Sequence, residues 1–528
     1  MVKLRGNAVM AVTPNIASQL KLFGVQDDKM RIILEDESFD RFESVFDALT
    51  KEIEVETITS SKLFPEPAFA QNSMNEANKN MRSLRVLSLF SGCGGLDRGL
   101  AGADGKGGFK TKWAIDACAN SIETLKAHMP STKTFVLDVG DVLEQMHTLP
   151  GMPKKGEVDV ILMGTPCEPF SFLNRYRLTG KQETDPRSLL ISTSMAYMDV
   201  YRPPYGVIEN VCGMLVHGDC GSVKKVGIIR FIRACLVGMG YNVRFCKVQC
   251  GFYGVPQHRW RVKFIFAQKG LTLPLAPCPT TRMAGFGDAG GKGDAITIHD
   301  AISDLQRWEF RNPHIVYGKD STLKDDRQDY LKPLQYDSDG MTTIGPFQSQ
   351  YASHPQNDFQ RSVRPVPSDS VYQHQTLPVH LPAIERIWNI PFTPGSNHLS
   401  LLNGHARLAL GSSVELEGEH ASQKAYGRLD SNGIFDIVTS NYTLETKHGR
   451  MLMPDQNRLP TLRELARAQG FPDPIFFHGS PNQIVRQIGN SVPVPLGRTI
   501  GKSIREAAIQ DYLNGDRRFA RPSSHQKS

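Results

Sequence analysis

The sequence predicts an α/β protein built on a doubly wound, mostly parallel sheet. Apolar runs of strand length, such as Arg85 to Phe90 and Val160 to Met163, recur between segments of helical length. This alternation is typical of a parallel sheet. The first run leads through a glycine-rich turn, Ser91 to Gly95, into a helix. Such a turn lets backbone N–H groups and a helix N-terminus approach a ligand.

Composition narrows the class of protein. The chain has 528 residues, 40% of them hydrophobic, which is enough for a core and for more than one domain. Its net charge of +7 suits either a polyanionic partner or an ordinary solvated surface. The nine cysteines form no Cys-x-x-Cys pair and no apolar signal segment begins the chain, so we expect a reduced intracellular protein without a zinc site. No apolar stretch is long enough to span a bilayer.

Two carboxylates at strand ends point to the ligand of the glycine-rich turn. A second predicted strand, Trp113 to Asp116, ends in an acid placed to bind ribose hydroxyls, and a third, Thr134 to Leu137, is followed by Asp138, placed for an adenine amino group. The ordered set favours an adenosine-containing cofactor. Since the turn is neither Gly-x-Gly-x-x-Gly nor a Gly-Lys-Ser/Thr loop, S-adenosylmethionine, which has a sulfonium and no phosphate, fits better.

A second group of polar residues follows later strands. Cys167 stands between two prolines after the fourth strand, and Glu209 ends the apolar run that begins at Gly206. Arg259 and Arg261 precede another strand. Because ligands bind at the carboxyl ends of parallel strands, a thiol, an acid and arginines could share the cofactor's crevice. Taken singly, each has a structural alternative: a buried cysteine, a salt-bridged glutamate and a surface arginine pair.

The order of these motifs resembles the cytosine-5 DNA methyltransferases, and the resemblance covers residues 85 to about 505. Eukaryotic maintenance-type enzymes are the most similar in their catalytic region, and a short fungal relative would fit. The segments that carry the resemblance are Phe90 to Gly95, Pro166-Cys167, Glu209 to Val211, Gln257 to Arg261, Ile296 to Leu305, Tyr426 to Leu429, Arg463 to Pro472 and Gly489 to Pro493.

The resemblance implies a Rossmann-like S-adenosylmethionine-dependent methyltransferase with an inserted, smaller, largely irregular or β target recognition domain. The expected divisions are an N-terminal extension and linker (1–82), a first catalytic part (83–270), the recognition domain (271–450), a C-terminal catalytic part (451–513) and a tail (514–528). A disordered insert is the alternative for 271–450, but apolar periodicity at Ile384 to Pro394 and Tyr426 to Thr443 argues against it.

It also assigns roles to single residues. Cys167 matches the nucleophile that adds to carbon 6 of cytosine, and Glu209 the acid that protonates or hydrogen-bonds ring nitrogen 3. Arg259 and Arg261 match the pair that steadies the ring oxygen, the phosphate or the active-site loop. For the cofactor, the implied residues are Phe90, Gly92 and Gly94 in the turn, Asp116 at the ribose, Asp138 at the adenine and Asn490 at the methionine end; no metal is implied.

The implied activity is methyl transfer to carbon 5 of a cytosine flipped out of duplex DNA, in the nucleus, with chromatin or targeting proteins as further partners. A tRNA methyltransferase of the same superfamily is one rival, but such chains are shorter and carry a Cys-Phe-Thr segment that this sequence lacks. A catalytically silent regulator that binds DNA or chromatin is the other. It is favoured by Glu168, where the family usually has Gln, because a carboxylate beside the thiol disfavours the thiolate. Asp116 also departs from the more usual Glu.

Overall fold

The computed structural model describes residues 2–4, 8–10, 56–57, 71–103, 108–166, 190–216, 228–283, 291–310, 331–332, 341–401, 424–440, 442–444 and 449–521. The strands that come first along the chain are β1 (Val2–Leu4), β2 (Ala8–Met10), β3 (Glu56–Thr57), β4 (Leu84–Leu89), β5 (Phe109–Asp116), β6 (Lys133–Val136), β7 (Val160–Gly164), β8 (Tyr205–Val211), β9 (Tyr241–Gln249) and β10 (Trp260–Gln268). Short strands follow: β11 (Thr281–Arg282), β12 (Gly293–Asp294), β13 (Glu309–Phe310), β14 (Leu331–Lys332), β15 (Met341–Thr342), β16 (Gln348–Gln350), β17 (Ser370–Tyr372) and β18 (Val379–His380).

The helices lie between and after these strands. They are α1 (Gln71–Asn80), α2 (Gly95–Ala101), α3 (Ala119–His128), α4 (Val139–Gln145), α5 (Leu190–Tyr201), α6 (Ile228–Gly238), α7 (Ile298–Ile302), α8 (Asp358–Val363), α9 (Leu381–Trp388), α10 (Leu462–Ala468), α11 (Pro481–Asn490) and α12 (Val494–Leu513). Two 3-10 helices, Cys212–Val216 and Cys250–Tyr253, follow β8 and β9. Within the described part of the chain, no helix has the length and apolar character needed to cross a membrane.

The central sheet has eight strands in the order β3-β9-β10-β8-β7-β4-β5-β6. β4 is parallel to β5 and β7, and β7 to β8, whereas β10 is antiparallel to β8 and β9. The predicted doubly wound, mostly parallel sheet is confirmed. From β4 the chain builds one side of the sheet and then returns to build the other from β7, so the switch point lies between these two strands, where ligands bind in such folds.

Alternation of side chains within the buried strands produces two cores. In β7, Val160 and Leu162 pack into one apolar cluster with α2 and α12, whereas Ile161 and Met163 pack into a second cluster with α5. A strand covered on both faces needs a continuous apolar run, because successive side chains point to opposite faces. The Val160 to Met163 run in the sequence reflects this requirement.

The segment before β4 differs from the predicted linker. Helix α1 buries Met74 and Ala77 in the same cluster as Ile504 of α12, and Arg505 Nε donates to Asn78 Oδ1 at 2.8 Å. Residues 71–82 are therefore part of the fold, although their polar composition suggested a connection. Most of the segment 39–58, for which the sequence suggests a helix, lies outside the described residues, and Glu56–Thr57 within it form a strand beside β9.

The described part of residues 271–450 consists of short strands, short helices and irregular backbone. Its apolar side chains Ile298, Ile384 and Tyr426 belong to one cluster with Leu465 and Ile484 from the C-terminal part. The predicted boundary at residue 450 thus crosses a shared core, and the division into domains stays a prediction.

A buried ionic network joins these two parts. The Arg467 guanidinium is bonded to Asp304 on one side and, at 2.6 Å, to Asp473 on the other, and all three side chains are buried. Burial alone would raise the pKa of Asp473, but Arg467 holds it below its usual range. Asp304 also pairs with Arg364 at 2.9 Å. Arg467 therefore bonds two buried carboxylates, and Asp304 has Arg364 as a second partner.

We expect Arg467→Met to lower the free energy of unfolding by about 3–5 kcal/mol, because it leaves buried carboxylates without their main counter-charge. Urea unfolding followed by circular dichroism measures the change. The control is Arg361→Met, which removes an exposed pair with Asp358 on α8 and should change stability by less than about 0.5 kcal/mol. Equal stability of the two variants would contradict the importance of the network.

Candidate active site

A cavity of about 330 Å³ opens at the carboxyl ends of β4, β5, β7 and β8. Its volume lies within the range of about 300–1,000 Å³ found for small-molecule sites. The cavity lies at the switch point of the sheet, as the strand order requires. Eight of the predicted site residues line it: Phe90, Gly92, Asp116, Asp138, Glu209, Arg259, Arg261 and Asn490.

The glycine-rich turn is tied to the end of β5. Phe90 leaves β4 with a φ of 52° and Gly92 has the same positive φ, a backbone conformation that glycine adopts without steric cost. The N–H groups of Gly92 and Cys118 each donate to the Asp116 carboxylate at 2.8 Å. Burial raises the pKa of Asp116 and outweighs these two donors. The acid is thus fixed in place and shares the cavity with the turn.

Gly94 is not one of the described residues that line the cavity. It precedes α2 with a left-handed φ of 80°, and a Cβ there would lie 3.2–3.3 Å from Leu125 and His128 of α3. The side of Gly94 that a Cβ would occupy is therefore covered by α3, and its contact with the cofactor stays a prediction.

Asp138 lies at the edge of the cavity beyond β6. Its side chain caps α4 by accepting from the Gly140 N–H at 2.7 Å, and the residue is exposed. A carboxylate has further acceptor sites beyond this one hydrogen bond. Asp138 can therefore accept from a ligand while it caps the helix.

The opposite wall comes from α11, near the C-terminus. Asn490 is the exposed last residue of this helix, and Gln483 and Gln487 line the cavity on the same face. Gln487 is held by Thr124 Oγ1 at 2.8 Å and by the carbonyl of His478 at 2.7 Å. The sequence reasoning missed both glutamines, although their spacing of seven and three residues from Asn490 puts all three on one helical face.

Glu209 and Arg261 form an ion pair in the wall of the cavity. Arg261 Nε lies 3.2 Å from Glu209 Oε1, and each residue is 6% exposed. Arg261 Nη1 also donates to the Trp260 carbonyl at 2.7 Å. The pair is consequently oriented by its own strand and stands at the point where β8 and β10 reach the cavity.

Arg259 has a different position from Arg261. Its guanidinium donates to the carbonyls of Val438 and Gly489 at 2.9 Å and of Ser491 at 3.1 Å. A Cβ on Gly489 would lie 2.3 Å from Thr439, so only glycine allows this close approach. These contacts make Arg259 a residue that joins three segments around the cavity.

Asn210 holds the backbone that leads to the predicted nucleophile. Its amide donates to Thr165 Oγ1 at 2.8 Å and to the Thr165 carbonyl at 3.2 Å. Thr165 and Pro166 line the cavity with Glu209. Cys167 and Glu168 lie outside the described residues, so the structure brings the start of this loop to the acid and leaves the place of the thiol as a prediction.

Sequence comparison finds relatives that are named as DNA (cytosine-5)-methyltransferases. The chain is 28% identical to DNA (cytosine-5)-methyltransferase PliMCI of Paracentrotus lividus, over 80% of this chain and 28% of the relative. It is 30% identical to DNA (cytosine-5)-methyltransferase 2 of Arabidopsis thaliana, over 86% of this chain and 30% of the relative. The chain thus spans less than a third of the length of these two relatives.

The fold is also found in a solved structure. A prophage-encoded protein of E. coli, named as a DNA modification methyltransferase, superposes with a TM-score of 0.53 at 21% identity, covering 82% of this chain and all of that one. The family model for C-5 cytosine-specific DNA methylases matches residues 84–506. This match runs from β4, which carries the glycine-rich turn, to α12, which follows Asn490, and the chain belongs to the C-5 cytosine-specific DNA methylase family.

Proposed function

We propose that the chain transfers a methyl group from S-adenosylmethionine to carbon 5 of cytosine in DNA, as a DNA (cytosine-5)-methyltransferase. One observation carries the proposal: a single cavity holds the carboxylates Asp116 and Asp138 at one side and the Glu209–Arg261 pair at the other. The first side suits a nucleoside, and the second suits a base that gains charge during reaction.

The residues of the cavity fit S-adenosylmethionine. Asp116 and Asp138 offer acceptors for hydroxyl and amino donors, whereas a phosphate would be repelled by two carboxylates. Asn490 supplies an amide that can both donate and accept at the far wall. When bound, the cofactor supplies an electrophilic methyl group. In this arrangement Asp116 orients the ribose, Asp138 the adenine and Asn490 the methionine end.

The chemistry of cytosine accounts for the remaining residues. Carbon 5 is a poor nucleophile, so the Cys167 thiolate first forms a bond to carbon 6 and makes the ring an enamine. Ring nitrogen 3 takes a proton from water in this step, and the Glu209 carboxylate, held by Arg261, accepts a hydrogen bond from the new N–H and so stabilises it. Carbon 5 then takes the methyl group, and loss of its proton expels the thiolate. The base must leave the duplex for these atoms to meet.

The second candidate is a catalytically silent protein of this family that binds DNA or chromatin. Glu168 favours it, because a carboxylate beside Cys167 disfavours the thiolate. Retention of Glu209, Arg261 and the cofactor-side acids in one cavity supports the enzyme instead. Both candidates would act on nuclear DNA and would have chromatin or targeting proteins as partners. These expectations follow from the resemblance to eukaryotic enzymes.

We expect Cys167→Ala to abolish methyl transfer from labelled S-adenosylmethionine to unmethylated and hemimethylated duplexes, because no other group replaces the covalent nucleophile. The matched control, Cys278→Ala, removes an exposed thiol that lies outside the cavity lining and should keep wild-type rates. If the wild type binds DNA but is as inert as Cys167→Ala on every duplex, the silent regulator is the correct function.

We expect Glu168→Gln to raise the rate of methyl transfer at neutral pH, by about tenfold for each unit that the pKa of the neighbouring thiol falls. The amide keeps the size of the side chain and removes its charge. Single-turnover rates across a pH series measure the effect. The double variant with Cys167→Ala must stay inactive, and an unchanged rate in Glu168→Gln would show that the carboxylate does not limit the enzyme.

We expect Asp116→Asn to weaken S-adenosylmethionine binding by about tenfold or more, since a hydrogen bond to a charged group contributes roughly 1.5–3 kcal/mol. The pKa of Asp116 is raised, and the charged form binds, so wild-type affinity should fall on acidification at a higher pH than for an ordinary aspartate. Calorimetry measures both effects. The control is Asp141→Asn, which alters an exposed acid on α4. If Asp116→Asn binds the cofactor as tightly as the wild type does, Asp116 is not part of the cofactor site.

A further inference from the structure

Lys263 is a buried cation outside the set of residues used above. The residue is 0% exposed, and its Nζ has no hydrogen-bond partner among the described residues. Burial lowers its pKa. Because an ammonium in the protein interior costs several kcal/mol unless a charge compensates it, Lys263 needs an explanation.

The register of the sheet places Lys263 directly opposite Glu209. Strands β10 and β8 are antiparallel, and Lys263 and Glu209 are Cα partners. Residues paired in this way have side chains on the same face, with Cβ atoms about 4.5–5.5 Å apart. Arg261 lies two residues along the same strand and bridges to Glu209 at 3.2 Å. The register therefore puts two cations on the face of the sheet that carries Glu209, Arg261 in the cavity wall and Lys263 outside the cavity lining.

Apart from Glu209, the titratable groups around Lys263 do not supply a negative charge. Those that act on it are Glu209 on β8, Cys250 in the 3-10 helix after β9, Cys246 on β9 and Arg261 on its own strand. Burial raises the pKa of Cys250, and an ordinary thiol is protonated at neutral pH. Within the described residues, Glu209 is thus the anion that compensates Lys263.

We propose that Lys263 is a positioning residue for methyl transfer, whose buried ammonium attracts the Glu209 carboxylate and helps to hold it toward ring nitrogen 3 of the flipped cytosine. The inference rests on the proposed function, in which Glu209 stabilises the proton gained by that nitrogen. Lys263 lies outside the cavity lining, so it acts through Glu209 and contacts neither cofactor nor base. Its loss should consequently affect the chemical step and leave binding unchanged.

The test compares Lys263→Met, Lys263→Arg and Lys247→Met with the wild type. The matched control is Lys247, a half-buried lysine on the neighbouring strand β9. It pairs in register with Val262 and so lies on the face of the sheet opposite to Lys263. Its Nζ lies 4.7 Å from the centre of the Trp260 ring. Thermal melting, calorimetry with S-adenosylmethionine, and kcat and KM for a DNA duplex are measured for each.

We expect Lys263→Met to melt at or above the wild-type temperature, since an apolar side chain removes the desolvation cost of the buried ammonium while Arg261 still pairs with Glu209. Its affinity for S-adenosylmethionine and its KM should stay the same, whereas kcat should fall about tenfold or more with the loss of a nearby charge. Lys263→Arg should recover most of kcat, and Lys247→Met should retain it.

The pH profile separates this role from a structural one. The charged lysine is the competent form and its pKa is lowered, so wild-type kcat should decline at a lower alkaline pH than an ordinary lysine would give. Arginine does not lose its charge in this range, so Lys263→Arg should extend activity to higher pH.

A stable Lys263→Met with wild-type kcat and pH profile would overturn the proposal and leave the proposed function intact. If Lys263→Met does not fold, an unchanged alkaline limb in Lys263→Arg overturns it equally. A wild type that transfers no methyl group to any duplex refutes the proposed function itself, and with it the role of Lys263.

Discussion

The site depends on the hydrogen bonds that the Arg259 guanidinium donates. It donates to backbone carbonyls of Val438, Gly489 and Ser491, which lie 179 to 232 residues away along the chain. One buried side chain thus holds the irregular region and the end of α11 against the sheet. This junction, together with the hydrogen bonds of Gln487, fixes the end of α11 and with it Asn490. Since charge-assisted hydrogen bonds are the stronger ones in proteins, an arginine is well suited to fasten three carbonyls at once.

Much of the fold and half of the site follow from the order of the strands alone. Buried parallel strands need continuous apolar runs, and the amino-acid sequence shows such runs at β4 and β7. Parallel strands also bring their carboxyl ends to one edge, so Asp116 and Glu209 could be placed in a common crevice from sequence position. Local pattern and topology are sufficient for residues of this kind, because the sheet itself determines where they lie.

The rest depends on contacts that sequence spacing does not encode. Gly92 and Gly94 both have positive φ, yet Gly94 packs on α3, and nothing in a glycine-rich turn tells which of the two faces a ligand. Gln487 reaches the cavity because it is bonded to Thr124, 363 residues earlier in the chain. Likewise, the polar segment that forms α1 belongs to the core because Met74 and Ala77 pack in one cluster with α12. In each case a tertiary partner decides the place of a residue whose local pattern is ambiguous.

The charges around Glu209 show how the two sides of the site constrain one another. A buried ion pair usually contributes little net stability, because desolvation cancels most of the attraction. Apolar side chains in place of Glu209, Arg261 and Lys263 would therefore stabilise β8 and β10 equally well. The proposed role of Glu209 beside a base that gains a proton gives a reason for these cations that packing does not. The electrostatic cost in the sheet is thus explained by the reaction proposed at its edge.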